Sequence, residues 1–558
     1  MRSFAVLLLS AVAALAAPAQ QPVMIDVNLA KPVGSYKPIY SWFGYDEGNY
    51  TTMKDGQRLL RELHDLSPVP VHIRFHHLLT SGNGEPELKW SSTNVFTLDA
   101  SGKPVYNFAI MDKMFDSLKR AGVRPMVELG FMPKDLAAEV PGRTEPYQVH
   151  YPKDTISGAS NNPPRNYAIW GELVRKVTEH LVERYGKSEV LQWYFEVWNE
   201  PDIGYWHASE ADYFKLYDYA VAGVRAALPG ARVGGPATTG PGDPHAEAYL
   251  DHFLEHVSTG ESAADGKTIP IDFISFHVKG QPKIVDGHVR MGLDREMISA
   301  DKGFAAVAKY PKLLKLPIIL SEADPEGCAA CSSKVNPSNN YRNDTLYPAY
   351  TAAALKGLFQ LDDRHRTNLI SMLSWSFEFE DKDFFEGFRS LSTNGVDKPI
   401  LNLFRMAGLM SGDRVVTTST GEIAIDNILK SSVTGSPDVD ALATHDGKQA
   451  AVLVWNYEDN DVPAQGSFVK VHVNGIPAGV SRVLLQHYRI DDSHSNAYTV
   501  WKGMGSPQKP SPEQFSTLHA AGQLQMLDSP VWLDVQDGAV NVAVTMPRQS
   551  VSLMHLSW

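Results

Sequence analysis

Two apolar segments of the chain end on a carboxylic acid, and one of them ends on an amide as well. The segment WYFEVWNEPD (193–202) places Asn199 and Glu200 at its end, and the segment LPIILSEADP (316–325) places Glu322 there. Glycoside hydrolysis needs one carboxyl group that protonates the departing oxygen and one carboxylate that attacks carbon or guides water. An amide beside the acid suits a sugar hydroxyl next to the reacting carbon. The two segment ends therefore predict glycosidic bond hydrolysis.

A structural role is the alternative for each glutamate. Taken alone, Glu200 or Glu322 would more often be an ion-pair partner at a strand end than a catalytic group. The two acids together, three strand–helix units apart, favour the catalytic interpretation, because parallel barrel strands present their carboxyl ends on one face.

Eight apolar segments that alternate with amphipathic helical segments position these acids. The predicted strands are 40–45, 71–79, 124–133, 191–201, 231–240, 271–280, 316–325 and 368–379. The clearest predicted helices are 109–122, 170–186, 211–228 and 347–359. Eight such units predict a closed (β/α)8 barrel, a TIM barrel of the α/β class. A doubly wound open sheet is the competing fold, but no GxGxxG turn follows an early strand.

The pattern changes near residue 410, where short alternating segments separated by turn residues begin. These segments, at 440–459, 467–475, 481–491 and 538–558, predict an antiparallel β-sandwich. The expected divisions are a signal peptide at 1–19, an N-terminal strand at 20–35 that could join the sandwich, the barrel at 36–410 and the sandwich at 411–558.

The first 20 residues predict export. They contain one arginine, an apolar run, and small residues that fit an A-x-A cleavage site. A membrane anchor is the alternative, but about a dozen apolar residues are too few to span a bilayer comfortably. The expected location is therefore secreted or periplasmic.

Composition and charge narrow the range of partners. The net charge is −13 and no basic block is present, which argues against nucleic acid. No later segment is long and apolar enough to cross a membrane. The only cysteines, Cys328 and Cys331, fit a redox pair, half a zinc site, a local disulfide or two free thiols. No second pair completes a metal cluster, so neither a metal nor a cofactor is expected; the oligomeric state is not indicated.

The segment at 193–202 resembles the acid/base signature of glycoside hydrolase family 39, a family of retaining (β/α)8 enzymes. The resemblance covers nearly the whole chain after the signal peptide. It includes Ile73-Arg74-Phe75-His76-His77 and the segments 106–133, 384–399 and 488–508. It implies a glycoside or oligosaccharide substrate.

The resemblance also implies roles for individual residues. Glu200 would be the general acid/base, Glu322 the nucleophile, and Asn199 the ligand of the neighbouring sugar hydroxyl. His76 and His277 would line the site, although each fits a buried core histidine as well.

The eighth predicted strand and the loop after it contribute the remaining residues of the predicted site. Trp375, at the end of the eighth strand, fits either a floor for a sugar ring or ordinary core. The loop 376–388 resembles the xylosidase pattern, with Glu378 or Glu380 near the substrate.

The family contains β-xylosidases and α-L-iduronidases, and the sequence resembles both. In the iduronidase pattern, the lysine at the Lys279 position meets the substrate carboxylate, and Arg389 is a loose candidate for a second cation. Lys279 could instead pair with a protein acid such as Asp324 or Glu326. The favoured hypothesis is an exported β-xylosidase acting on short xylo-oligosaccharides. The alternatives are an α-L-iduronidase-like or other exo-glycosidase, and a non-catalytic carbohydrate-binding protein on the same fold.

Overall fold

The structure, a computed structural model, describes residues 21–147, 158–326, 328 and 331–558. The predicted signal peptide lies outside the described residues. Within this part of the chain, none of the helices combines the length and apolar character needed to cross a bilayer. Cys328 and Cys331 form a disulfide.

Eight parallel strands form the barrel, and we number them one to eight in chain order. They are Trp42–Tyr45, His72–Phe75, Arg124–Leu129, Tyr194–Val197, Arg232–Thr238, Phe273–Lys279, Ile318–Asp324 and a last strand in two segments, Leu369–Met372 and Ser374–Trp375. The first segment of strand eight pairs with strand seven, and the second pairs with strand one. The barrel is therefore closed through strand eight, as the alternation of strands and helices predicts.

The helices surround the barrel because each buries one apolar stripe against the strands. They are Lys54–Asp65, Ala109–Ala121, Tyr167–Tyr185, Lys187–Val190, Glu210–Ala227, Pro244–Thr259, Leu293–Ala308, Leu346–His365 and Pro399–Gly408. Local signals fix several starts: Ser209 and Asp212 form a capping box before the helix at Glu210, and Asp243 caps the helix at Pro244.

The barrel interior consists of an apolar layer below a charged layer. Side chains two residues apart on a strand point to the same side, so apolar residues in the lower layer are followed by polar ones above. Tyr194 precedes Glu196 in this way on strand four, and Met126 precedes Glu128 on strand three. All four side chains are buried. The charged layer lies toward the carboxyl ends of the strands, where barrel enzymes carry their active sites.

A second sheet of ten strands consists of one strand that precedes the barrel in the chain and nine that follow it. Its strands are Val23–Ser35, Asp413–Ser419, Asp438–His445, Gln449–Tyr457, Ser467–Asn474, Arg482–Ile490, Gln525–Met526, Val531–Asp534, Ala539–Met546 and Ser550–Ser557. The first of these runs antiparallel to Asp413–Ser419 but parallel to Ser467–Asn474. The pairings of this sheet are antiparallel, as the alternating pattern predicts, except for the parallel pairing of Val23–Ser35 with Ser467–Asn474, which makes the sheet mixed.

Short elements occupy the connections. Three small hairpins are formed by Phe96–Leu98 with Pro104–Tyr106, Lys283–Val285 with His288–Arg290, and Ser392–Thr393 with Val396–Asp397. The sequence patterns did not predict three helices: Ile425–Ser431, Ala497–Gly503 and Pro512–Gly522.

The helix Ala497–Gly503 holds the loop that follows barrel strand eight. Phe385 of that loop packs against Tyr498 and Trp501, with ring centroids 5.3 and 5.1 Å apart. The side chain of Asn402 donates to two backbone carbonyls of the segment 495–522, which contains the helices Ala497–Gly503 and Pro512–Gly522. The second domain therefore supports one wall of the barrel mouth.

Candidate active site

Glu200 is held at the mouth of the barrel by a constrained turn after strand four. Trp198 and Glu200 both have positive φ, 71° and 43°, which is costly for residues other than glycine. The turn is fixed because the Glu200 amide donates to the carbonyl of Ala237 at 2.8 Å, and the Trp198 indole donates to the carbonyl of Tyr205 at 3.0 Å. These contacts aim the Glu200 carboxyl across the mouth.

Glu322 lies on strand seven among cationic side chains. One carboxylate oxygen, Oε1, lies 3.3 Å from Arg74 Nη1 and 3.3 Å from His76 Nε2, and the other, Oε2, lies 2.9 Å from Lys279 Nζ. Burial alone would raise the pKa of Glu322, but Lys279, His277 and His76 hold it well below its usual range. The carboxylate is therefore ionised and ready to act as a nucleophile.

The two carboxyl groups lie close together, with His277 beside them. An oxygen of Glu200, an oxygen of Glu322 and a ring nitrogen of His277 all lie within 4.8 Å of one another. His277 Nδ1 is 2.8 Å from Glu200 Oε1 and 3.9 Å from Glu322 Oε2. Carboxyl groups about 5–5.5 Å apart are typical of retaining glycosidases, and about 6.5–9.5 Å of inverting ones. The observed spacing suits the retaining arrangement.

The same three side chains form a group that could hold a metal ion. The ammonium of Lys279, 2.9 Å from Glu322, already supplies positive charge to that carboxylate. The ammonium of Lys279 therefore occupies the role of counter-charge to Glu322 that a bound cation would otherwise fill.

Arg74 connects Glu322 to the charged layer below it. Its guanidinium binds Glu196 through Nε at 2.5 Å and Glu128 through Nη2 at 2.9 Å, and Nη2 also donates to Oδ1 of Asn199 at 2.9 Å. All these side chains are buried, and removing one partner from such a buried network costs about 3–5 kcal/mol. Arg74 thus fixes both Glu322 and Asn199.

A second charged cluster lies beside strand one. Asp46 binds Arg389 and lies 3.5 Å from Lys89 and 3.3 Å from His76. Burial would raise the pKa of Asp46, but Lys89 and Arg389 hold it well below its usual value. Arg389, the loose candidate for a uronate ligand, is therefore already paired with a protein acid.

Trp375 lies inside the site but is only 1% exposed. The guanidinium groups of Arg74 and Arg389 lie 5.0 and 5.7 Å from its ring centroid, and the His76 ring lies 4.5 Å away. A side chain at Gly44 would lie 2.3 Å from the indole, so the close fit of Trp375 requires glycine there. In this structure Trp375 supports the cations rather than presenting a face to a sugar.

Lys279 meets two acids, one of which is the predicted nucleophile. Its ammonium binds Asp324 as well as Glu322. Burial would lower the pKa of Lys279, but Asp324 and Glu322 raise it above its usual value. Glu326, the other acid considered for this pairing, binds Arg342 instead.

The predicted residues thus separate into two groups. Asn199, Glu200, His76, His277, Lys279 and Glu322 lie together at the barrel mouth, with Trp375 beneath them. Glu380 contacts a different element: its carboxylate accepts from the backbone amide of Asp55, in the first turn of the helix Lys54–Asp65. Glu378 binds Arg58 at 2.9 Å.

Sequence reasoning missed the supporting acids and bases of the barrel interior, which are Asp46, Lys89, Glu128 and Glu196. A signal was present for two of them. Glu128 and Glu196 each interrupt an apolar run, in PMVEL (125–129) and WYFEV (193–197), where a charge must find a partner inside the barrel. Asp46 and Lys89 lie in loops, and nothing in their sequence context indicates a buried pair.

Comparison with known proteins agrees with this geometry. The sequence profile of glycosyl hydrolases family 39 matches residues 85–531. The chain belongs to this family. It is therefore a glycoside hydrolase by family and takes a glycoside substrate.

The similar proteins include enzymes of different specificity. The chain is 28% identical over 474 residues to a β-xylosidase of Geobacillus stearothermophilus, covering 82% of each chain. It is 24% identical over 554 residues to an α-L-iduronidase of Mus musculus, covering 93% of this chain and 78% of that one. The fold matches a monomeric β-xylosidase from Caulobacter crescentus CB15 with a TM-score of 0.74, 22% identity, and coverage of 96% and 99%.

Proposed function

We propose that this protein is an exported, retaining β-xylosidase that releases xylose from xylo-oligosaccharides. The observation that carries the proposal is the pairing of Lys279 with Asp324 and Glu322. Because protein carboxylates already neutralise this lysine, it is poorly placed to bind a carboxylate of the substrate. Export is supported by the apolar leader with its small-residue cleavage sites.

In the first step of the proposed reaction, Glu322 attacks the anomeric carbon. A new bond forms between a carboxylate oxygen of Glu322 and that carbon, and the glycosidic bond breaks. Glu200 gives its proton to the departing oxygen. His277, 2.8 Å from Glu200, orients the acid.

In the second step, water replaces the enzyme at the anomeric carbon. Glu200 now accepts a proton from the water, the bond to Glu322 breaks, and the electron pair returns to the carboxylate. Two inversions give net retention. Asn199, whose Oδ1 is fixed by Arg74, directs its amide nitrogen toward the sugar hydroxyl beside the reacting carbon.

An α-L-iduronidase-like activity is the second candidate, and the cations of the site favour it. Burying a uronate carboxylate requires a positive partner, and Lys279 and Arg389 are both near the nucleophile. In this structure, however, Arg389 binds Asp46 and Lys279 binds two acids. Xylose has no exocyclic carboxylate, so a xyloside leaves both pairs intact.

Comparing two substrates decides between these candidates. We expect kcat/KM of the wild type to be far higher for an aryl β-D-xyloside than for an aryl α-L-iduronide. We also expect Lys279→Met to lower xyloside turnover, because losing the ammonium 2.9 Å from Glu322 raises the pKa of the nucleophile. Steady-state kinetics of both proteins on both substrates provide the measurement.

Lys302→Met is the matched control, because Lys302 pairs with Glu247 on the barrel surface. It should leave both rates near the wild-type values. A wild-type preference for iduronide that collapses selectively in Lys279→Met would replace the xylosidase proposal with the iduronidase one.

A non-catalytic carbohydrate-binding role would require that one acid be missing or displaced. Both are present, and their oxygens approach within 4.8 Å. A chromogenic glycoside screen separates the two possibilities, since a binding protein would retain sugar without releasing the chromophore.

A further inference from the structure

Glu128 is a buried acid of barrel strand three that no step of the proposed mechanism uses. One of its oxygens, Oε2, lies 2.5 Å from His76 Nδ1 and 2.9 Å from Arg74 Nη2. Within the described part of the chain, its other oxygen, Oε1, has no hydrogen-bond partner. The acid therefore directs a single oxygen at two cationic side chains.

The other nitrogen of His76 also faces acids. His76 Nε2 lies 3.3 Å from Oε1 of Glu322 and 3.3 Å from Oδ1 of Asp46. A neutral imidazole has one donor nitrogen, whereas an imidazolium has two. Because both ring nitrogens face carboxylates, the arrangement fits the imidazolium.

We propose that Glu128 is a positioning residue of the hydrolysis: it holds His76 as an imidazolium against the nucleophile Glu322 and thereby favours the second step. The inference rests on the proposed function, because it needs Glu322 to be the group that carries the sugar. His76 transfers no proton in this account.

The two steps place opposite demands on the charge next to Glu322. In the first step the carboxylate loses its negative charge as it bonds to the sugar. In the second step the bond to the sugar breaks and the charge returns to Glu322. A fixed cation beside the oxygen stabilises the state in which the charge is present. Losing that cation should therefore slow the second step more than the first.

The charges around His76 favour its protonated form. Asp46 faces it from the end of strand one, Glu128 from strand three and Glu322 from strand seven. The cations Arg74, Lys89 and Arg389 act in the opposite direction. The adjacent His77 is uncharged, because burial and the charge of His76 hold its pKa well below the usual value. Burial alone would lower the pKa of His76, but Glu128 and Asp46 raise it to about 9.

Glu128→Gln tests the proposal because it keeps the shape and removes the charge. The amide oxygen can still accept from both His76 and Arg74, and the amide nitrogen takes the place of the unpartnered oxygen. Glu196→Gln is the matched control: Glu196 binds Arg74 through Nε at 2.5 Å, in the same layer, but has no contact with His76. Its Oε1 is likewise unpartnered among the described residues.

The first measurement is an NMR titration of the histidines, with the His76 signal assigned by its absence from His76→Gln. We expect the pKa of His76 to fall by about two units or more in Glu128→Gln, and to change much less in Glu196→Gln.

The second measurement is the pH dependence of kcat on a dinitrophenyl β-xyloside. At pH 8 His76 is charged in the wild type but largely neutral in Glu128→Gln. We expect kcat there to fall by about tenfold or more, with a parallel fall in KM because the xylosyl-enzyme accumulates. Below the lowered pKa the imidazolium returns, so the deficit should narrow at pH 5. His76→Gln should show the deficit at both pH values.

Three results would overturn the proposal: a wild-type His76 pKa at or below its ordinary value, a His76 pKa unchanged by Glu128→Gln, or an equal deficit at every pH. The titration requires no turnover, so it still decides the point if the protein does not cleave xylosides. If Glu128→Gln fails to fold, the wild-type titration and the kinetics of His76→Gln decide it.

Discussion

Replacing Glu322 by alanine should abolish turnover of every glycoside, with kcat falling on the order of 10⁵–10⁶-fold, as expected when the nucleophile of a covalent mechanism is removed. The physical reason is that no covalent sugar–enzyme bond can form. The measurement is the steady-state rate on an aryl β-xyloside.

Two controls accompany this variant. Losing Glu322 leaves Arg74, His76 and Lys279 without one of their acids, so the thermal midpoint must be measured to show that the protein is folded. Glu322→Gln keeps the volume of the side chain and should be equally inactive.

Added azide can occupy the space of the missing carboxylate in the alanine variant and attack directly, which would give an α-glycosyl azide. Appreciable hydrolysis by a folded Glu322→Ala protein would disprove the role of Glu322.

Replacing Glu200 by alanine should affect the two steps unequally. With a dinitrophenyl leaving group, which needs no protonation, the first step survives while the second loses its general base. General acid–base catalysis contributes about 10²–10⁴-fold, so kcat should fall by that factor and KM should fall with it. A burst of dinitrophenol followed by slow turnover is the expected time course.

The configuration of the azide product shows whether the acid/base or the nucleophile has been removed. In Glu200→Ala, azide should attack the accumulated glycosyl-enzyme, restore turnover and give a β-glycosyl azide from a β-glycoside. The Glu200 and Glu322 variants are therefore each other's controls, because their azide products have opposite configurations. A β-azide from Glu322→Ala, or no rescue of either variant, would show that the roles are assigned wrongly.

The sequence predicted the barrel and the two acids because both depend on local patterns. Alternating strands and helices predict a parallel barrel, and Glu200 and Glu322 end their strand segments where barrel chemistry occurs. Each of the eight predicted strand segments contains an observed strand.

The partners of these acids depend on contacts between distant parts of the chain. Lys279 could be seen as a candidate ligand, but its simultaneous contact with Asp324 and Glu322 follows from the register of strands six and seven. Arg389 reaches Asp46 only because the loop after strand eight folds back over strand one. Glu380 looked equivalent to Glu378 in sequence, but the loop directs it to the start of a helix.

The stereochemistry of the first sugar released tests the central claim most directly. An oxygen of Glu200 lies within 4.8 Å of an oxygen of Glu322, a spacing that suits direct attack by a carboxylate better than attack by a water placed between the two groups. Proton NMR of a fresh reaction on an aryl β-xyloside should therefore show β-xylose first, followed by slow conversion to the anomeric mixture. Initial appearance of α-xylose would contradict the double-displacement mechanism and the roles given to Glu200 and Glu322.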